Sequence, residues 1–292
     1  MNAALETPRP GARILNVTEA EYFADPCPVP SLSQSIANLL VSESPRHAWA
    51  AHPRLGNMRR ESTKALDEGT LIHKLMLGVG AEVVIIPFDD FRKKDAQIIR
   101  DAAVAEGKLP VLHRKYDEMR QVADRLRDRL KAEGFPLDGQ SEVAIEWHER
   151  GNDGPVVCRC RMDHVFVNEG RIYDIKKARS VNPRHIARNF MDYGYPVQAV
   201  AYNRALAALN PGLQGRIEFT FLFLELDAPN EIVPVRPDGA FYKIGSLKWE
   251  QAVLTWERCL SSGHWPGYAD GVVTITPPAY VLAEHLGNYE GP

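Results

Sequence analysis

Two acids and a lysine, Asp163, Asp174 and Lys176, lie in a stretch whose alternating pattern predicts two strands joined by a tight turn. The segment 168–170, Asn-Glu-Gly, supplies the turn residues. A connection of two residues (168–169) or four (167–170) puts position 163 opposite position 174. Opposed side chains point to the same side, with Cβ atoms about 5 Å apart. A three-residue connection would put the two carboxylates on opposite faces.

Two carboxylates that converge in this way repel each other unless a cation lies between them. Hard oxygen ligands suit Mg²⁺ or Mn²⁺. A surface hairpin with one charged face is the alternative interpretation, because such patterns are common on half-exposed strands. On the first strand the pattern puts Arg159, Arg161 and Asp163 on one face, and Cys158, Cys160, Met162 and Phe166 on the other.

Further candidates lie upstream of this hairpin. A strand over 140–148 puts Glu142 and Glu146 on one face, so either could add a third carboxylate, or either could be an exposed glutamate of an edge strand. His73 lies on a helix over 61–78, where it is either a metal ligand or phosphate contact in a cleft, or a histidine at the edge of the core.

The remaining pattern predicts helices and strands in an order that suggests one α/β domain with a mixed sheet. Further helices are expected over 31–41, 45–51, 94–106, 113–133, 183–190, 196–209, 246–262 and 279–286, with a helical turn near 18–23. Further strands are expected over 82–88, 217–226 and 231–236.

Composition is that of an ordinary soluble globular protein, with 45% hydrophobic and 25% charged residues in 292. No apolar run is long enough to span a membrane, and the first residues lack the layout of a signal peptide, so the cytosol is the expected compartment. Four cysteines do not make a disulfide framework in a chain of this size. The net charge is −3, yet the segment 159–188 holds eight basic and three acidic residues, a pattern compatible with phosphate contact or a solvated face.

Taken in order, these residues resemble a known set of motifs. The set comprises Gly69-Thr-Leu-Ile-His73, Glu142, Cys160-Arg-Met-Asp163, Asp174-Ile-Lys176 and Gln198-x-x-x-Tyr202. It resembles the PD-(D/E)xK nuclease superfamily, and most closely the phage and prophage exonuclease VIII (RecE-type) branch, related to lambda exonuclease and the RecB nuclease domain. The resemblance extends over most of the chain and includes Tyr193-Gly-Tyr195 and Trp265-Pro-Gly-Tyr268.

The resemblance implies a role for each matching residue. Asp163 and Asp174 would bind Mg²⁺ or Mn²⁺, with His73 as a further ligand near the metal. Lys176 would orient or help deprotonate the attacking water, and Glu142 would be the extra acid before the hairpin. The residues expected to contact DNA are Gln198, Tyr202, Arg161 and Lys177.

The implied fold is a restriction-endonuclease-like core, a central mixed β-sheet flanked by helices. We expect one exonuclease domain over 1–292, with an N-terminal helical extension (1–60), a catalytic core (61–262) and a C-terminal tail (263–292). The implied activity is metal-dependent hydrolysis of linear double-stranded DNA, 5′ to 3′, in phage-type recombination. The implied partners are a single-strand annealing recombinase and further copies of the chain, in a ring of three or four subunits in a bacterial cytoplasm.

Three positions depart from the pattern of the motifs. Met162 stands where proline is common, Ala144 where a small hydroxyl residue is common, and Lys177-Ala178 where small hydroxyl residues often follow the lysine. None of these departures removes a catalytic group. Two alternatives remain: an iron–sulfur nuclease on the same core, which needs one cysteine before the core and three after it, and a non-catalytic DNA-binding recombination partner.

Overall fold

A computed structural model describes residues 11–58 and 64–286, so residues 61–63 of the helix expected over 61–78 lie outside it. The α-helices of the described part are α1 Glu19–Phe23, α2 Gln34–Ser42, α3 Pro45–Ala51, α4 Lys64–Leu77, α5 Lys94–Ala105, α6 His113–Ala132, α7 Pro183–Asn189, α8 Tyr195–Leu209, α9 Gly239–Ser262 and α10 Ala279–Leu286. Its strands are β1 Arg13–Leu15, β2 Leu32–Ser33, β3 Val83–Ile86, β4 Leu109–Leu112, β5 Gln140–Arg150, β6 Pro155–Phe166, β7 Arg171–Lys177, β8 Glu218–Leu224 and β9 Ile232–Val235.

The central sheet is mixed, as predicted. Its strand order is β1-β5-β6-β7-β8-β9, and β2 pairs alongside β6. The β5–β6 and β6–β7 pairs are antiparallel, whereas β7 and β8 run parallel because α7 and α8 carry the chain back between them. Strands β3 and β4 form a separate two-stranded parallel sheet.

Helices cover both faces of the central sheet. Helices α2, α8 and α9 pack on one face in a core that contains Trp147, Trp249 and Phe221. Helices α4 and α6 pack on the other face, where Leu71 and Leu126 meet side chains of β7 and β8. None of the helices in residues 11–58 and 64–286 is long and apolar enough to cross a membrane.

The register of the β6–β7 hairpin is the one that a four-residue connection predicts. His164 pairs with Tyr173 and Phe166 with Arg171, so 167–170 form the connection and position 163 falls opposite position 174. Ladder pairing ends at His164 and Tyr173. Beyond it the Asp163 carboxylate accepts a hydrogen bond from the backbone N–H of Ile175, with an N–O distance of 2.8 Å.

The end of ladder pairing next to Asp163 also breaks the predicted alternation of side chains along β6. Met162 and Val165 both pack into the core beneath α8, whereas Phe166 packs on the face covered by α4 and α6. The prediction that Phe166 shares a face with Met162 was therefore wrong. Strict alternation requires regular pairing along the whole strand, and here that pairing stops at the candidate site.

Several elements differ from the sequence pattern. Strands β1 and β2 lie within 1–60, so the expected helical extension also adds two strands to the central sheet. Helix α2 begins at Gln34 because the Ser33 side chain accepts a hydrogen bond from the N–H of Ile36 and caps it. Helix α9 begins seven residues before the predicted start, where Asp238 caps it. Strand β4 was not predicted.

Candidate active site

His73 joins two carboxylates at the mouth of a cleft. Its Nδ1 lies 3.1 Å from an oxygen of Glu142 and its Nε2 lies 3.0 Å from an oxygen of Asp163. Helix α4 presents His73 from its partly exposed edge, because Leu71, Ile72 and Met76 turn into the core beneath α6. Side chains from α4, β5 and β6 therefore meet at one point.

Glu142 reaches this point through an irregular backbone. Its φ angle is 57°, in the left-handed region that non-glycine residues rarely adopt, and it makes no ladder pair with Asp163 opposite. Its other oxygen lies 2.8 Å from Nε of Arg161. Glu146 instead lies 2.9 Å from Arg13 of β1. The choice left open by the sequence therefore falls on Glu142.

Asp174 and Lys176 form a second group on the other side of β7. The expectation that the carboxylates of Asp163 and Asp174 point to the same side is therefore not met, because ladder pairing ends before position 163. Nζ of Lys176 lies 2.5 Å from Asp174 Oδ1, and the amide of Gln198 donates a hydrogen bond of 2.5 Å to Asp174 Oδ2. The Asp174 side chain is buried, and Gln198 on α8 is 5% exposed. Because side chains alternate along a strand, Ile175 and Lys177 face the cleft that Asp163 lines, while Asp174 and Lys176 point toward α8.

The two groups act on each other electrostatically. Burial and the charge of Asp163 raise the pKa of Asp174 to about 7, against the opposing charge of Lys176. Burial alone would lower the pKa of His73, but the hydrogen bonds and charges of Asp163 and Glu142 raise it to about 10. Burial also works against the charge of Lys176, yet Asp174 and Asp163 raise the pKa of this lysine above its ordinary value.

The cleft beside His73 has a volume of about 770 Å³. It is lined by acidic and basic side chains from α1, α4, β5, β6 and the end of β7, among them Glu19, Glu68, His73, Glu142, Arg161, Asp163, Lys177 and Arg179. Volumes of this size are typical of ligand sites. The basic side chains of this lining suit contact with a polyanion, and the acidic side chains suit binding of a cation beside it.

The donors at this site suit a divalent metal ion. Carboxylate oxygens and an imidazole nitrogen are ligands that such ions accept in proteins. Glu142 Oε2 and Asp174 Oδ1 are buried and, within the described part of the chain, accept no hydrogen bond of normal geometry, so only the ion pairs with Arg161 and Lys176 balance them. Among residues with described side chains, no group of three or more His, Cys, Asp or Glu is already arranged around a common metal position. With its raised pKa, His73 is protonated between the two acids, and metal binding would require loss of that proton.

The sequence profile of a family described as "PDDEXK-like domain of unknown function (DUF3799)" matches residues 33–276. The chain belongs to this PDDEXK-like family. A search of curated proteins found no significant match.

One solved structure shares this fold. A crystal structure described as a "Putative exonuclease" from Eubacterium rectale superposes with a TM-score of 0.59 at 12% identity, over 94% of this chain and 99% of that one. The restriction-endonuclease-like α/β fold expected from the sequence is thereby confirmed. A second structure, SSO0001, aligns with 72% of this chain and 100% of its own at 11% identity, with a TM-score of 0.28 that is too low to bear on the fold.

The PDDEXK-like protein holds Gln198 and Tyr202, two of the expected DNA contacts, in its interior. Both side chains are 5% exposed. Gln198 donates to Asp174, and the hydroxyl of Tyr202 donates to the backbone carbonyl of Arg161 at 2.8 Å. In this conformation their contacts position an acid and a strand of the site. A direct contact with DNA stays a prediction for both residues.

Arg161 and Lys177, the other two expected DNA contacts, line the cleft. Arg161 is held by Glu142 and by Glu19 of α1, and its guanidinium lies 5.0 Å from the ring centroid of Phe23. Lys177 lies 2.6 Å from Glu68 of α4. Both therefore present cationic groups to the cleft while paired with acids that a phosphate could replace.

Sequence reasoning missed Glu19, Phe23 and Glu68. The pattern at Thr18 and Glu21 is a capping box that locates helix α1, and the structure has both of its hydrogen bonds. Nothing in that pattern places α1 beside Arg161, because this contact joins residues 142 positions apart.

The four cysteines of this PDDEXK-like protein are all buried and free. Cys158 and Cys160 lie within the hydrophobic core beneath α8, and burial raises the pKa of both thiols. Thiols in that setting are poor metal ligands, because metals bind the thiolate form. The geometry disfavours the iron–sulfur alternative.

Proposed function

We propose that this protein is a metal-dependent exonuclease that hydrolyses phosphodiester bonds of linear double-stranded DNA. The observation that carries the proposal is the meeting of His73, Glu142 and Asp163 at a large charged cleft, with Asp174 and Lys176 coupled to them across β7. Membership of the PDDEXK-like family and the fold of the exonuclease-like neighbour support it. The intact acids and lysine favour a catalyst over a non-catalytic DNA-binding partner.

The residues divide the chemistry between them. Asp163, Asp174 and His73 would hold Mg²⁺ or Mn²⁺, with Glu142 beside them. A bound divalent cation lowers the pKa of its water and neutralises charge on phosphate oxygens. The backbone N–H of Ile175 fixes Asp163 and the side-chain amide of Gln198 fixes Asp174, because each donates a hydrogen bond to the carboxylate.

Lys176 supplies a positive charge next to these acids. Asp174 and Asp163 raise the pKa of Lys176 against the effect of burial, and its Nζ would orient the attacking water or steady the charged phosphate. Arg161 and Lys177 line the cleft and would contact the DNA backbone by exchanging their present acidic partners for phosphate.

The finer assignments rest on the motif resemblance. They are membership of the exonuclease VIII branch, 5′-to-3′ polarity, a role in phage-type recombination beside a single-strand annealing recombinase, and a ring of three or four subunits in a bacterial cytoplasm. Release of label from 5′-labelled against 3′-labelled duplex tests polarity. Light scattering after size exclusion tests the subunit number.

Digestion of linear and closed circular duplex with Mg²⁺ or Mn²⁺ tests the central proposal. The protein should degrade the linear form and spare the closed circle. Lys176→Ala should lower the rate by about 10² or more, in the range expected for loss of a catalytic proton-transfer or charged group. Lys108→Ala serves as the control, because Lys108 pairs with Glu82 and Glu106 away from the cleft. Equal activity of Lys176→Ala and the wild type would refute the assignment.

A further inference from the structure

A second cleft lies next to the candidate active site. Its volume is about 650 Å³, and its lining includes Arg179, His185, Tyr193 and Tyr195. The two clefts share the segment 177–179, which follows directly on the strand that carries Asp174 and Lys176. A chain-like substrate that lies along the first cleft can therefore continue into the second.

Two stacked tyrosines form one wall of this second cleft. The rings of Tyr193 and Tyr195 lie 5.5 Å apart with an angle of 27° between their planes. Tyr195 is fixed from behind by Phe190 and Phe221, with ring centroids 5.3 and 5.0 Å away. Tyr193 is nonetheless 65% exposed. A rigidly backed, exposed ring of this kind is a platform on which a nucleobase can stack.

Gly194 sets the position of both rings. It adopts φ of 68° at the start of α8, and a side chain there would overlap the side chain of Asn38. The two tyrosines thus flank a left-handed residue that only glycine fills without strain. The backbone at Gly194 therefore sets the positions from which both tyrosine side chains extend.

The charge of the second cleft differs from that of the first. No Asp or Glu is among the described residues that line it, whereas acids line the first cleft. Arg179 is exposed and has no hydrogen-bond or ion-pair partner in the part of the chain that the structure describes. Arg184 and Arg188 on α7 are also exposed. A basic groove with an exposed aromatic platform suits single-stranded nucleic acid.

The second cleft also reaches the reacting groups. Nζ of Lys176 lies 5.6 Å from the ring centroid of Tyr195 and 2.5 Å from Asp174. Paired bases within a duplex present only their edges to a protein, so a base can lie flat on Tyr193 only at a strand end or where it is unpaired.

We propose that the second cleft binds an unpaired nucleotide of the DNA strand next to the scissile phosphate, with its base stacked on Tyr193 and its phosphate against Arg179. This inference rests on the proposed nuclease function and adds to it the form of the substrate. In this arrangement the two DNA strands are separated at the site. One nucleotide of the attacked strand lies in the second cleft, and the first cleft holds the same strand on the other side of the scissile phosphate.

Binding of labelled single-stranded oligonucleotides in EDTA tests the inference without cleavage. Tyr193→Ala should weaken binding roughly 5- to 150-fold, the range that corresponds to loss of one base–aromatic stack. Tyr193→Phe retains the ring and should bind like the wild type. Tyr280→Ala is the matched control, because Tyr280 is exposed to a similar extent (73%) but lies on α10, outside both clefts.

A scan with single abasic positions makes the test specific for stacking. At one position the abasic oligonucleotide should bind the wild type more weakly, and there the additional penalty from Tyr193→Ala should disappear. Wild-type affinity of Tyr193→Ala would overturn the inference. A penalty that persists with every abasic position would also overturn it, because the tyrosine would then act without a base partner.

Cleavage of linear duplex by the same proteins separates the two proposals. If the wild type cleaves DNA and Tyr193→Ala binds and cleaves normally, the nuclease function stands and the stacking site is refuted. If the wild type cleaves nothing with Mg²⁺ or Mn²⁺ but the abasic dependence at Tyr193 is observed, the nucleotide site stands and the nuclease function is refuted.

Discussion

Asp25 is the acid whose loss should harm the fold most, although it takes no part in the proposed reaction. Its side chain is fully buried. One carboxylate oxygen lies 3.0 Å from Arg159 and accepts from the Ser31 hydroxyl at 2.7 Å, and the other accepts from the Ser31 N–H at 2.9 Å and lies 3.2 Å from His52. These contacts fasten the segment after α1 to β6.

Asp25→Asn would leave the guanidinium of Arg159 buried, at 4% exposure, without its nearest buried anion. Removing one partner of a buried ion pair costs about 3–5 kcal/mol, because the remaining charge stays desolvated. Arg54 lies 3.9 Å from the same carboxylate and is also a cation, so it cannot balance the charge of Arg159. A loss of this size is a large share of the roughly 5–15 kcal/mol by which typical domains are stable.

Urea denaturation of Asp25→Asn beside the wild type measures this loss. Glu133→Gln is the matched control, because it breaks an exposed pair of 2.9 Å with Arg129 that should contribute only about 0.3–0.5 kcal/mol. A double-mutant cycle with Arg159→Met should show that this second substitution costs less when Asp25 is already neutral. A loss below about 1 kcal/mol for Asp25→Asn, or additive costs in the cycle, would refute the reasoning about buried charge.

The same cluster fixes a pH dependence. Burial alone would raise the pKa of Asp25, but His52, Arg159 and Ser31 together hold that pKa below its ordinary value of 3.8. The stabilisation by Asp25 is therefore fully present above about pH 4 and is lost as the pH falls through the lower folded-state pKa. The stability difference between wild type and Asp25→Asn should shrink only in that acid range, as urea midpoints at successive pH values would show.

Three further results are expected at the site. Glu142→Gln should weaken Mg²⁺ or Mn²⁺ binding about 10- to 100-fold, as loss of a group beside metal ligands does, whereas Glu146→Gln should leave it unchanged; calorimetric titration compares them. Gln198→Leu should lower the free energy of unfolding by about 1–3 kcal/mol, because buried Asp174 loses its hydrogen-bond donor. Urea denaturation measures this loss, and a smaller loss would contradict the prediction. EDTA should abolish cleavage. Metal restored at about 100 times its Kd should raise the free energy of unfolding by about 2.7 kcal/mol. Unchanged thermal stability would argue against metal binding.

Much of the site could be predicted from short-range pattern. Period-two alternation and the turn residues at 168–170 predicted the β6–β7 hairpin, and two of the three connections left open give the observed register. Helical spacing placed His73 near the edge of a buried face, and spacing of four placed Gln198 and Tyr202 on one side of α8. The strand register and the shared helix faces depend on residues that are close together in the sequence, and the sequence pattern therefore predicts them.

The contacts that close the site depend on other parts of the chain. Arg161 is held by Glu19, and β1 and β2 are too short to show a period of their own. The open choice between Glu142 and Glu146 was decided by β1, which brings Arg13 to Glu146 and leaves Glu142 for His73. A three-residue strand pairing across 130 positions carries no local signal from which this could be inferred.

The departures from local rules coincide with the proposed chemistry. Regular pairing would align Glu142 with Asp163 and continue the β6–β7 ladder to Asp174, and all three carboxylates would then stand on regular strands. Instead Glu142 adopts a left-handed backbone, and Asp163 takes the N–H of Ile175 as a hydrogen-bond partner. The left-handed backbone of Glu142 costs of order 1–3 kcal/mol and persists only where surrounding contacts hold it. Here His73 and Arg161 hold Glu142, and His73 also holds Asp163. Local pattern therefore fails at the point where the strands separate and open the hairpin to the cleft, as expected when residues are selected for a site as well as for the fold.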